Sequence, residues 1–317
     1  MYRPQIKVLD CTIRDGGLLN NSKFSDDFVK DVYKALCESG VDIIEIGYRN
    51  SKKIFPPDEY GPWRFCDDDV LKKLTDGIET ESKLAIMMDA HKSDPDDLKP
   101  KEQSPVDIVR IATYVRDIDK AIKLSNIAND LGYQTTINIM AISHAIEWEL
   151  DEALQQINEE TNILSCCIVD SFGALYSEDI DFYYYKYRKY LKNAEIAIHC
   201  HNNKQLAFAN TIAGIIKGAN YLDATIFGIG RGAGNCPLEL LMSFLKNPKF
   251  NIRSLFDMIE KRILPLTNEL KWGYHIPYMI SGVLNQHPDE AIRQVEVKSD
   301  DPQKLSYRDF YEKCLDL

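Results

Sequence analysis

The pair His199 and His201 is the most informative chemical pattern in this sequence. Residues two apart on a β-strand point to the same face, so two imidazoles at this spacing can bind one metal ion. An isolated His-x-His pair is more often two histidines with separate hydrogen bonds. The metal interpretation gains support because Asp15 and Asn235 also follow strand-like segments, and closure of a barrel would bring these oxygen and nitrogen ligands to one point.

A second pattern, the segment 10–17, places Arg14 directly before Asp15. An Arg-Asp dipeptide is usually a surface ion pair. The position of this one, at a strand end and before Gly16 and Gly17, favours a functional role, because two glycines would let the backbone approach a ligand or turn sharply beneath a metal.

A glycine-rich loop spans residues 228–234. It lacks the dinucleotide-binding spacing, because the third glycine of that pattern would fall at Ala233 and no βαβ unit follows. We therefore reject a dinucleotide site there. A loop after the last strand of a barrel can hold a phosphate or another anion, although tight packing alone also explains the glycines.

Other polar residues lie within or after apolar runs. Glu45 lies inside an apolar strand, where a carboxylate is costly unless it is paired, and Ser171 ends another run. His144, Tyr274 and His275 are candidate proton carriers, but side chains of these types are more often packed or exposed to solvent.

The elements that must position these residues alternate regularly along the chain. Amphipathic stretches such as 25–39 and 117–131 separate short apolar runs, which is typical of parallel βαβ units. The runs predicted as strands are residues 6–12, 42–48, 84–90, 108–115, 133–140, 165–171, 195–201 and 221–229. Eight strand-helix units favour an α/β fold of the (β/α)₈ TIM-barrel type, with its site at the C-terminal ends of the strands.

The chain divides at about residue 240 in this interpretation. Residues 1–240 form a TIM-barrel catalytic domain, and residues 241–317 form a C-terminal helical extension packed on the barrel. The stretch 253–270 has a helical pattern, and the aromatic, apolar stretch 272–287 is a candidate contact for a homo-oligomer.

Composition excludes several classes of function. No apolar run approaches the roughly 20 residues of a membrane span. The 38 Lys and Arg against 49 Asp and Glu give a net charge of −11, which disfavours nucleic acid. The eight cysteines are scattered without a Cys-x-x-Cys pair, and the N-terminus lacks the apolar region of a signal peptide, so we expect a reducing, cytoplasmic location.

Taken together, the clusters resemble the metal-dependent aldolase and lyase family of HMG-CoA lyase-like TIM barrels, most closely its 4-hydroxy-2-oxovalerate aldolase branch. The matching segments extend from residue 10 to residue 239 and read DCTIRDGG, IEIGY, RIATYVRDID, VDSFGAL, HCHNN and GIGRGAGNCPLE. The resemblance implies a carbon-carbon lyase that acts on a small 2-oxo acid through the enolate of pyruvate.

The resemblance also implies roles for individual residues. Asp15, His199 and His201 would bind a divalent ion, Mn²⁺ or Mg²⁺ with Zn²⁺ as the alternative, and Asn235 would add a ligand. Arg14 would stabilise the enolate, since its guanidinium can donate two parallel hydrogen bonds. The implied substrate-binding set is Arg14, Ser171 and His199.

The chain departs from this family at the proton-transfer half of the site. Relatives carry histidine or glutamine three residues after the aspartate of RDG, and this chain has Leu18; the lyases' catalytic cysteine corresponds to Ile226. Either the base is Tyr274, His275 or Glu45, or the substrate differs from those of the relatives. We predict Arg14, Glu45 and Tyr274 as the catalytic residues. The tail is also shorter than the partner-docking domain of bacterial aldolases, which argues against a dehydrogenase partner.

Two alternatives stay open at this point. One is a different reaction at the same site, either Claisen-type condensation of an acyl-CoA with a 2-oxo acid or decarboxylation of oxaloacetate. The other is a barrel that keeps a metal for structure and has lost catalysis, for which Leu18 is the main argument.

Overall fold

The computed structural model describes residues 3–298 and 301–316, and within them eight parallel strands close into one barrel. The strands are hydrogen-bonded in chain order, and the last pairs with the first. They are β1 (Lys7–Asp10), β2 (Ile43–Tyr48), β3 (Lys83–Asp89), β4 (Ile108–Thr113), β5 (Gln134–Ile139), β6 (Ser165–Asp170), β7 (Glu195–Cys200) and β8 (Tyr221–Ala224). The predicted TIM barrel is confirmed.

Helices alternate with most of these strands, and further helices follow β8. They are α1 (Thr12–Gly16), α2 (Asp26–Ser39), α3 (Asp68–Thr75), α4 (Ile118–Asp130), α5 (Glu147–Glu160), α6 (Ser177–Tyr190), α7 (Ala207–Lys217), α8 (Leu238–Leu245), α9 (Arg253–Met258), α10 (Leu264–Leu266), α11 (Ile276–Val283), α12 (Asp289–Glu296) and α13 (Tyr307–Leu315). The predicted helix at 25–39 is confirmed as α2. Ser25 Oγ accepts a hydrogen bond from Phe28 N at its start, and Gly40 ends it with a φ of 76°.

The connection between β3 and β4 differs from the predicted pattern of eight strand-helix units. Two short 3₁₀ turns, Pro95–Asp97 and Lys101–Gln103, replace an α-helix there. The segment contains Pro95, Pro100 and Pro105 within eleven positions, and each proline removes a helical N–H donor and restricts the residue before it.

The first and last strands are shorter than predicted, because helical turns begin directly after them. Helix α1 starts at Thr12, and a 3₁₀ turn covers Ile226–Gly228. Gly16 and Gly17 therefore have ordinary helical φ angles of −59° and −62°, which do not form the sharp turn that was one of their two expected roles; the other, close approach to a ligand, stays a prediction. What Gly16 supplies is space, since a Cβ there would lie 3.2 Å from Ile229 Cδ1.

The C-terminal helices pack against the loops at the mouth of the barrel. Tyr278 of α11 shares a buried apolar cluster with Ala233 of the glycine-rich loop. Asn203, after β7, donates through Nδ2 to Tyr278 O at 3.2 Å and to Ser281 Oγ at 3.2 Å. A Cβ on Gly282 would lie 3.1 Å from Gly173 O, so α11 also approaches the loop after β6.

The main apolar core extends beyond the last strand, since α9 packs against α2 and contributes Leu255 and Met258. The boundary near residue 240 stays a prediction. None of the helices in the described ranges is long and apolar enough to cross a membrane.

Candidate active site

A cavity of about 380 Å³ opens at the C-terminal ends of the strands. Its lining includes five predicted site residues that lie at or after the ends of β1, β6 and β7: Arg14, Asp15, Ser171, His199 and His201. A larger groove of about 1080 Å³ lies at the opposite end of the barrel, beside residues that begin the first strands, and it contains none of the predicted site residues. The chemistry is therefore concentrated in the smaller cavity.

The four predicted metal ligands lie close together, with Asp15, His199 and His201 lining the cavity and Asn235 directly behind them. Asp15 Oδ2 lies 3.4 Å from His199 Nε2 and accepts a hydrogen bond from Asn235 Nδ2 at 2.9 Å. The backbones of His201 and Asn235 form an isolated bridge, and the two histidine rings have centroids 5.2 Å apart. Closure of β8 against β1 produces this proximity, as the argument from a closed barrel required.

Two buried oxygens without hydrogen bonds indicate that this cluster suits a cation. Asn235 Oδ1 and Asp15 Oδ1 are buried without a hydrogen-bond partner, which is unusual for buried oxygens, and the contact of Asp15 Oδ1 is the ion pair with Arg14 Nη1 at 3.2 Å. Within the described residues, no hydrogen bond reaches the ring nitrogens of His201. Carboxylate oxygen, amide oxygen and imidazole nitrogen are all divalent-metal donors, so the residues present fit a bound ion.

The side chain of Cys11 is a neighbour that the sequence argument did not include. Its sulfur lies with ligand atoms of Asp15 and His199 in a group spanning at most 4.8 Å. Burial raises the pKa of Cys11 well above its ordinary value, and its thiol donates toward Ala224 O at 3.4 Å. In the metal-free cluster this residue is therefore a neutral thiol.

The protonation of the two histidines differs because their neighbours differ. Burial lowers the pKa of His201 to about 3, so its imidazole is neutral near pH 7. For His199, hydrogen bonds to Asp15 and Asp223 outweigh burial and raise the pKa. His199 Nδ1 donates to Asp223 Oδ2 at 3.1 Å, and this leaves Nε2 facing Asp15 in the orientation that a carboxylate-supported histidine ligand takes.

Asp15 itself is held as a carboxylate. Burial alone would raise its pKa, but the Arg14 guanidinium and the two histidines hold the pKa of Asp15 well below its ordinary value. Arg14 Nη1 lies 3.2 Å from Asp15 Oδ1, and both side chains are almost fully buried. A permanently ionised oxygen donor is therefore available to a cation.

Arg14 and Asp15 are part of a closed ring of six buried side chains, which we call the charge ring. Its contacts run from Arg14 to Glu45 (2.7 Å), Glu45 to Arg110 (3.1 Å), Arg110 to Asp223 (2.6 Å), Asp223 to His199 (3.1 Å), His199 to Asp15 (3.4 Å) and Asp15 to Arg14 (3.2 Å). Acidic and basic groups alternate around it, so each charge has opposite neighbours. The ring links the proposed metal ligands to the barrel interior.

The sequence argument identified Glu45 as a buried carboxylate that must be paired, and its partners are Arg14 and Arg110. It did not single out Arg110 or Asp223. The same signal was present for both, since each is a charged residue within an apolar strand. What the sequence lacked was the identity of the partner across the interior.

The remaining predicted residues have different positions. Ser171 lines the cavity and accepts a hydrogen bond through Oγ from Ala141 N at 2.8 Å. Leu18 lines the cavity as well. Tyr274 is 53% exposed and lies outside the cavity lining, so the structure does not bring it to the other site residues.

His287, from the segment before α12, is a lining residue that the sequence argument missed. Its Nδ1 lies 3.1 Å from Asp289 Oδ1, and its Nε2 lies 3.4 Å from Arg231 Nη1. Burial and the nearby Arg231 lower the pKa of His287. In a neutral imidazole whose Nδ1–H donates to Asp289, Nε2 is unprotonated and accepts the hydrogen bond from Arg231 Nη1.

Comparison with known proteins gives a consistent result. The profile of the HMGL-like family matches residues 103–261. The chain is 28% identical to 4-hydroxy-2-oxovalerate aldolase of Pelotomaculum thermopropionicum over 251 residues, covering 78% of this chain and 72% of that protein. It is 26% identical to 4-hydroxy-2-oxohexanoate aldolase of Mycobacterium bovis over 306 residues, covering 92% and 85%.

Solved structures agree. The crystal structure of the N-terminal domain of a provisionally assigned aldolase from Bacteroides vulgatus superposes with a TM-score of 0.80 at 32% identity, covering 92% of this chain and 97% of that one. Bacillus subtilis HMG-CoA lyase shares the fold, with a TM-score of 0.67 at 14% identity over 85% of this chain and 97% of that one. The matched family profile and the similarity to the Bacteroides vulgatus domain show that this chain belongs to the HMGL-like family.

Proposed function

We propose that this chain is a divalent-metal-dependent aldolase that cleaves a 4-hydroxy-2-oxo acid into pyruvate and an aldehyde, through the enolate of pyruvate. The observation that carries the proposal is the buried cluster of Asp15, His199, His201 and Asn235, in which Asp15 Oδ1 and Asn235 Oδ1 accept no hydrogen bond, beside Arg14 at the barrel mouth. The aldolase names of the relatives support the same class of reaction.

In this proposal the four residues of that cluster hold the ion, Mn²⁺ or Mg²⁺ with Zn²⁺ as the alternative. A bound divalent cation supplies Lewis-acid polarisation of the 2-oxo group. Asp223 keeps His199 in the tautomer that presents Nε2, because its carboxylate accepts from Nδ1.

Arg14 stabilises the negative charge that develops on the C2 oxygen. Its Nε and Nη1 contact Glu45 and Asp15, and within the described ranges Nη2 has no protein partner. Two carboxylates thus fix the guanidinium and leave one nitrogen free to donate to an oxyanion. A donor that is already oriented stabilises the enolate more than the ground-state ketone.

His287 takes the proton of the 4-hydroxyl group. When the 4-hydroxyl group replaces Arg231 Nη1 as the donor to Nε2, Nε2 accepts the hydroxyl proton. The C3–C4 bond breaks, the aldehyde carbonyl forms at C4 and the electron pair of that bond moves onto the enolate. Protonation of the enolate at C3 then gives pyruvate. The support is that His287 lines the cavity, has its Nδ1 oriented by Asp289, and has a pKa lowered by burial and Arg231, so that the free base is present near pH 7.

The test is pyruvate release by purified protein from 4-hydroxy-2-oxo acids of different chain lengths. We expect release with added Mn²⁺ or Mg²⁺, its loss after complete chelation by EDTA, and its return when the metal is restored. Full activity after complete chelation would exclude the metal role. Absence of release from every chain length, with metal content verified, would exclude the aldolase reaction.

One observation favours a second reaction at the same site, decarboxylation of oxaloacetate. Leu18 lines the cavity as an apolar side chain, and decarboxylation needs no base to remove a hydroxyl proton. Measurement of carbon dioxide and pyruvate from oxaloacetate, beside aldehyde and pyruvate from a 4-hydroxy-2-oxo acid, separates the two reactions. The decarboxylase alternative requires carbon dioxide and pyruvate from oxaloacetate, and no aldehyde and pyruvate from the 4-hydroxy-2-oxo acid.

A further inference from the structure

A buried arginine on the wall of the same cavity has no acidic partner among the residues that the structure describes. Arg64 ends the 3₁₀ turn Pro62–Arg64 after β2, is 6% exposed and lines the cavity. Its guanidinium carbon lies 4.8 Å from the ring centre of Tyr48, 5.0 Å from that of Phe55 and 5.1 Å from that of Tyr60. We call these four side chains the Arg64 cage.

The Arg64 guanidinium is unpaired apart from these rings. Within residues 3–298 and 301–316, no carboxylate lies within 4.0 Å of it, and its Nε is buried without a hydrogen-bond acceptor. The other cations nearby are different, because Arg14 contacts two carboxylates and Lys92 lies 3.6 Å from Asp89 Oδ2. The positive charge of Arg64 is therefore uncompensated.

Aromatic rings contact the faces of a guanidinium and leave its in-plane N–H groups free. Cation–π contacts stabilise the charge only in part, because burying an ion without a counter-ion costs more than such contacts return. The cage thus orients the side chain without satisfying its donors. An anion entering the cavity would complete this site.

The carboxylate of the 2-oxo acid has a separate candidate partner. Arg231 lines the cavity beside Ser171, donating toward Ser171 O at 3.4 Å, and it has only neutral contacts among the described residues. Ser171 is the residue that the resemblance associates with the substrate carboxylate. Ser171 follows β6, which lies across the eight-stranded barrel from β2, whereas Arg64 lies in the loop after β2, so we assign the two arginines to different anionic groups.

We infer that the Arg64 cage binds a second anionic group, a carboxylate or a phosphate, on the aldehyde-derived half of the substrate. This inference rests on the proposed function for the reaction, but the binding site can be tested without turnover. It makes the substrate a doubly anionic 4-hydroxy-2-oxo acid, in contrast to one with an alkyl end.

The binding test uses two five-carbon probes that lack the 4-hydroxyl group and so cannot be cleaved. Calorimetric titration with Mg²⁺ present compares 2-oxoglutarate with 2-oxopentanoate, for the wild type, Arg64→Met and Arg64→Lys. We expect the wild type to bind the diacid about 10- to 100-fold more tightly, as one charge-assisted hydrogen-bonding site provides, and Arg64→Met to lose this preference. Arg64→Lys should keep part of it, since it keeps the charge without the planar fork.

Lys52→Met is the matched control, because it removes one positive charge from an exposed side chain near the same turn. It should leave the preference unchanged. Equal affinity of the wild type for both probes, binding of neither, or an equal effect of Lys52→Met would overturn the inference. If Arg64→Met does not fold, as judged by circular dichroism, the ratio of the affinities for the two probes in the wild type and in Arg64→Lys still tests the inference.

Turnover then distinguishes the source of the anion and separates the two proposals. The substrates are 4-hydroxy-2-oxopentanoate, 4-hydroxy-2-oxoglutarate and the 5-phosphate ester of 4,5-dihydroxy-2-oxopentanoate. A lower KM for 4-hydroxy-2-oxoglutarate identifies the second anionic group as a carboxylate, and a lower KM for the phosphate ester identifies it as a phosphate. Equal KM values for all three would overturn the Arg64 inference and leave the aldolase intact, whereas diacid binding without any cleavage would overturn the aldolase and leave the anion site.

Discussion

Replacing Arg110 with methionine should destabilise the protein strongly, because this side chain connects two carboxylates inside the barrel. Arg110 is 2% exposed, and its nitrogens lie 3.1 Å from Glu45 and 2.6 Å from Asp223. The variant keeps much of the side-chain volume but leaves the charge ring with three carboxylates and one arginine. Breaking a buried ion pair from one side costs about 3–5 kcal/mol, a large part of the roughly 5–15 kcal/mol that stabilises a typical domain.

The assay is urea unfolding followed by circular dichroism, in EDTA so that no metal contributes. Two variants test the electrostatic explanation. Asp223→Asn in the Arg110→Met background should cost less than Asp223→Asn alone, because the arginine that would lose its contact with Asp223 is already absent. Lys52→Met, which breaks an exposed pair with Asp67, should change the free energy of unfolding by at most about 1 kcal/mol.

The electrostatic explanation is refuted if the free energy of unfolding of Arg110→Met lies within about 1 kcal/mol of the wild-type value and its slope against urea concentration is unchanged. Strictly additive effects of Arg110→Met and Asp223→Asn would also contradict it, since two residues in direct contact must then act independently.

Three further predictions follow from the same site. Asp15→Asn should weaken Mn²⁺ binding, measured by calorimetry, by about 100-fold or more, because it removes the ionised oxygen donor; unchanged affinity would place the ion elsewhere. His287→Gln should lower kcat for aldol cleavage by about 100-fold or more with unchanged metal affinity, whereas a merely structural role would leave kcat intact in the folded variant. In metal-free protein, burial holds the pKa of His201 at about 3, below its ordinary 6.5, so the unfolded chain alone takes up this proton and stability falls as the pH drops below about 6.5. His201→Gln should reduce that loss of stability by about 1.4 kcal/mol per pH unit between pH 6 and 4. The variant and the wild type are compared at each pH, because burial raises the pKa of Asp10 to about 7 and of Asp170 to about 6, and these two groups stabilise the folded protein as the pH falls. Parallel curves of unfolding free energy against pH for the two proteins would contradict the prediction.

The proximity of the four predicted metal ligands could be predicted from the sequence because barrel closure makes β1, β7 and β8 neighbours. His199 ends β7, Asp15 and His201 lie just beyond β1 and β7, and Asn235 follows the glycine-rich loop after β8, so all four lie at the same end of the barrel. The strand pattern also indicated that Glu45 needed a partner.

Other parts of the site depend on information that periodicity does not contain. Arg110 and Asp223 are 113 residues apart and meet across the interior, where strand patterns give the facing direction of a side chain but not its partner. Arg64 depends on how the loop after β2 folds three aromatic rings around it. His287 depends on the docking of the C-terminal helices, which also left Tyr274 exposed instead of at the site.

The contacts of α11 couple the three loops that carry Ser171, His201 and Asn235. Because one short helix touches all three, a displacement of that helix would move Ser171, His201 and Asn235 at the same moment, and local opening there would compete directly with ligand binding. By thermodynamic reciprocity, we expect a ligand in the cavity to protect the α11 amides from hydrogen exchange, although no residue of α11 lines the cavity. The local stability of α11 and the affinity of the cavity for its ligand are thus expected to depend on the same equilibrium.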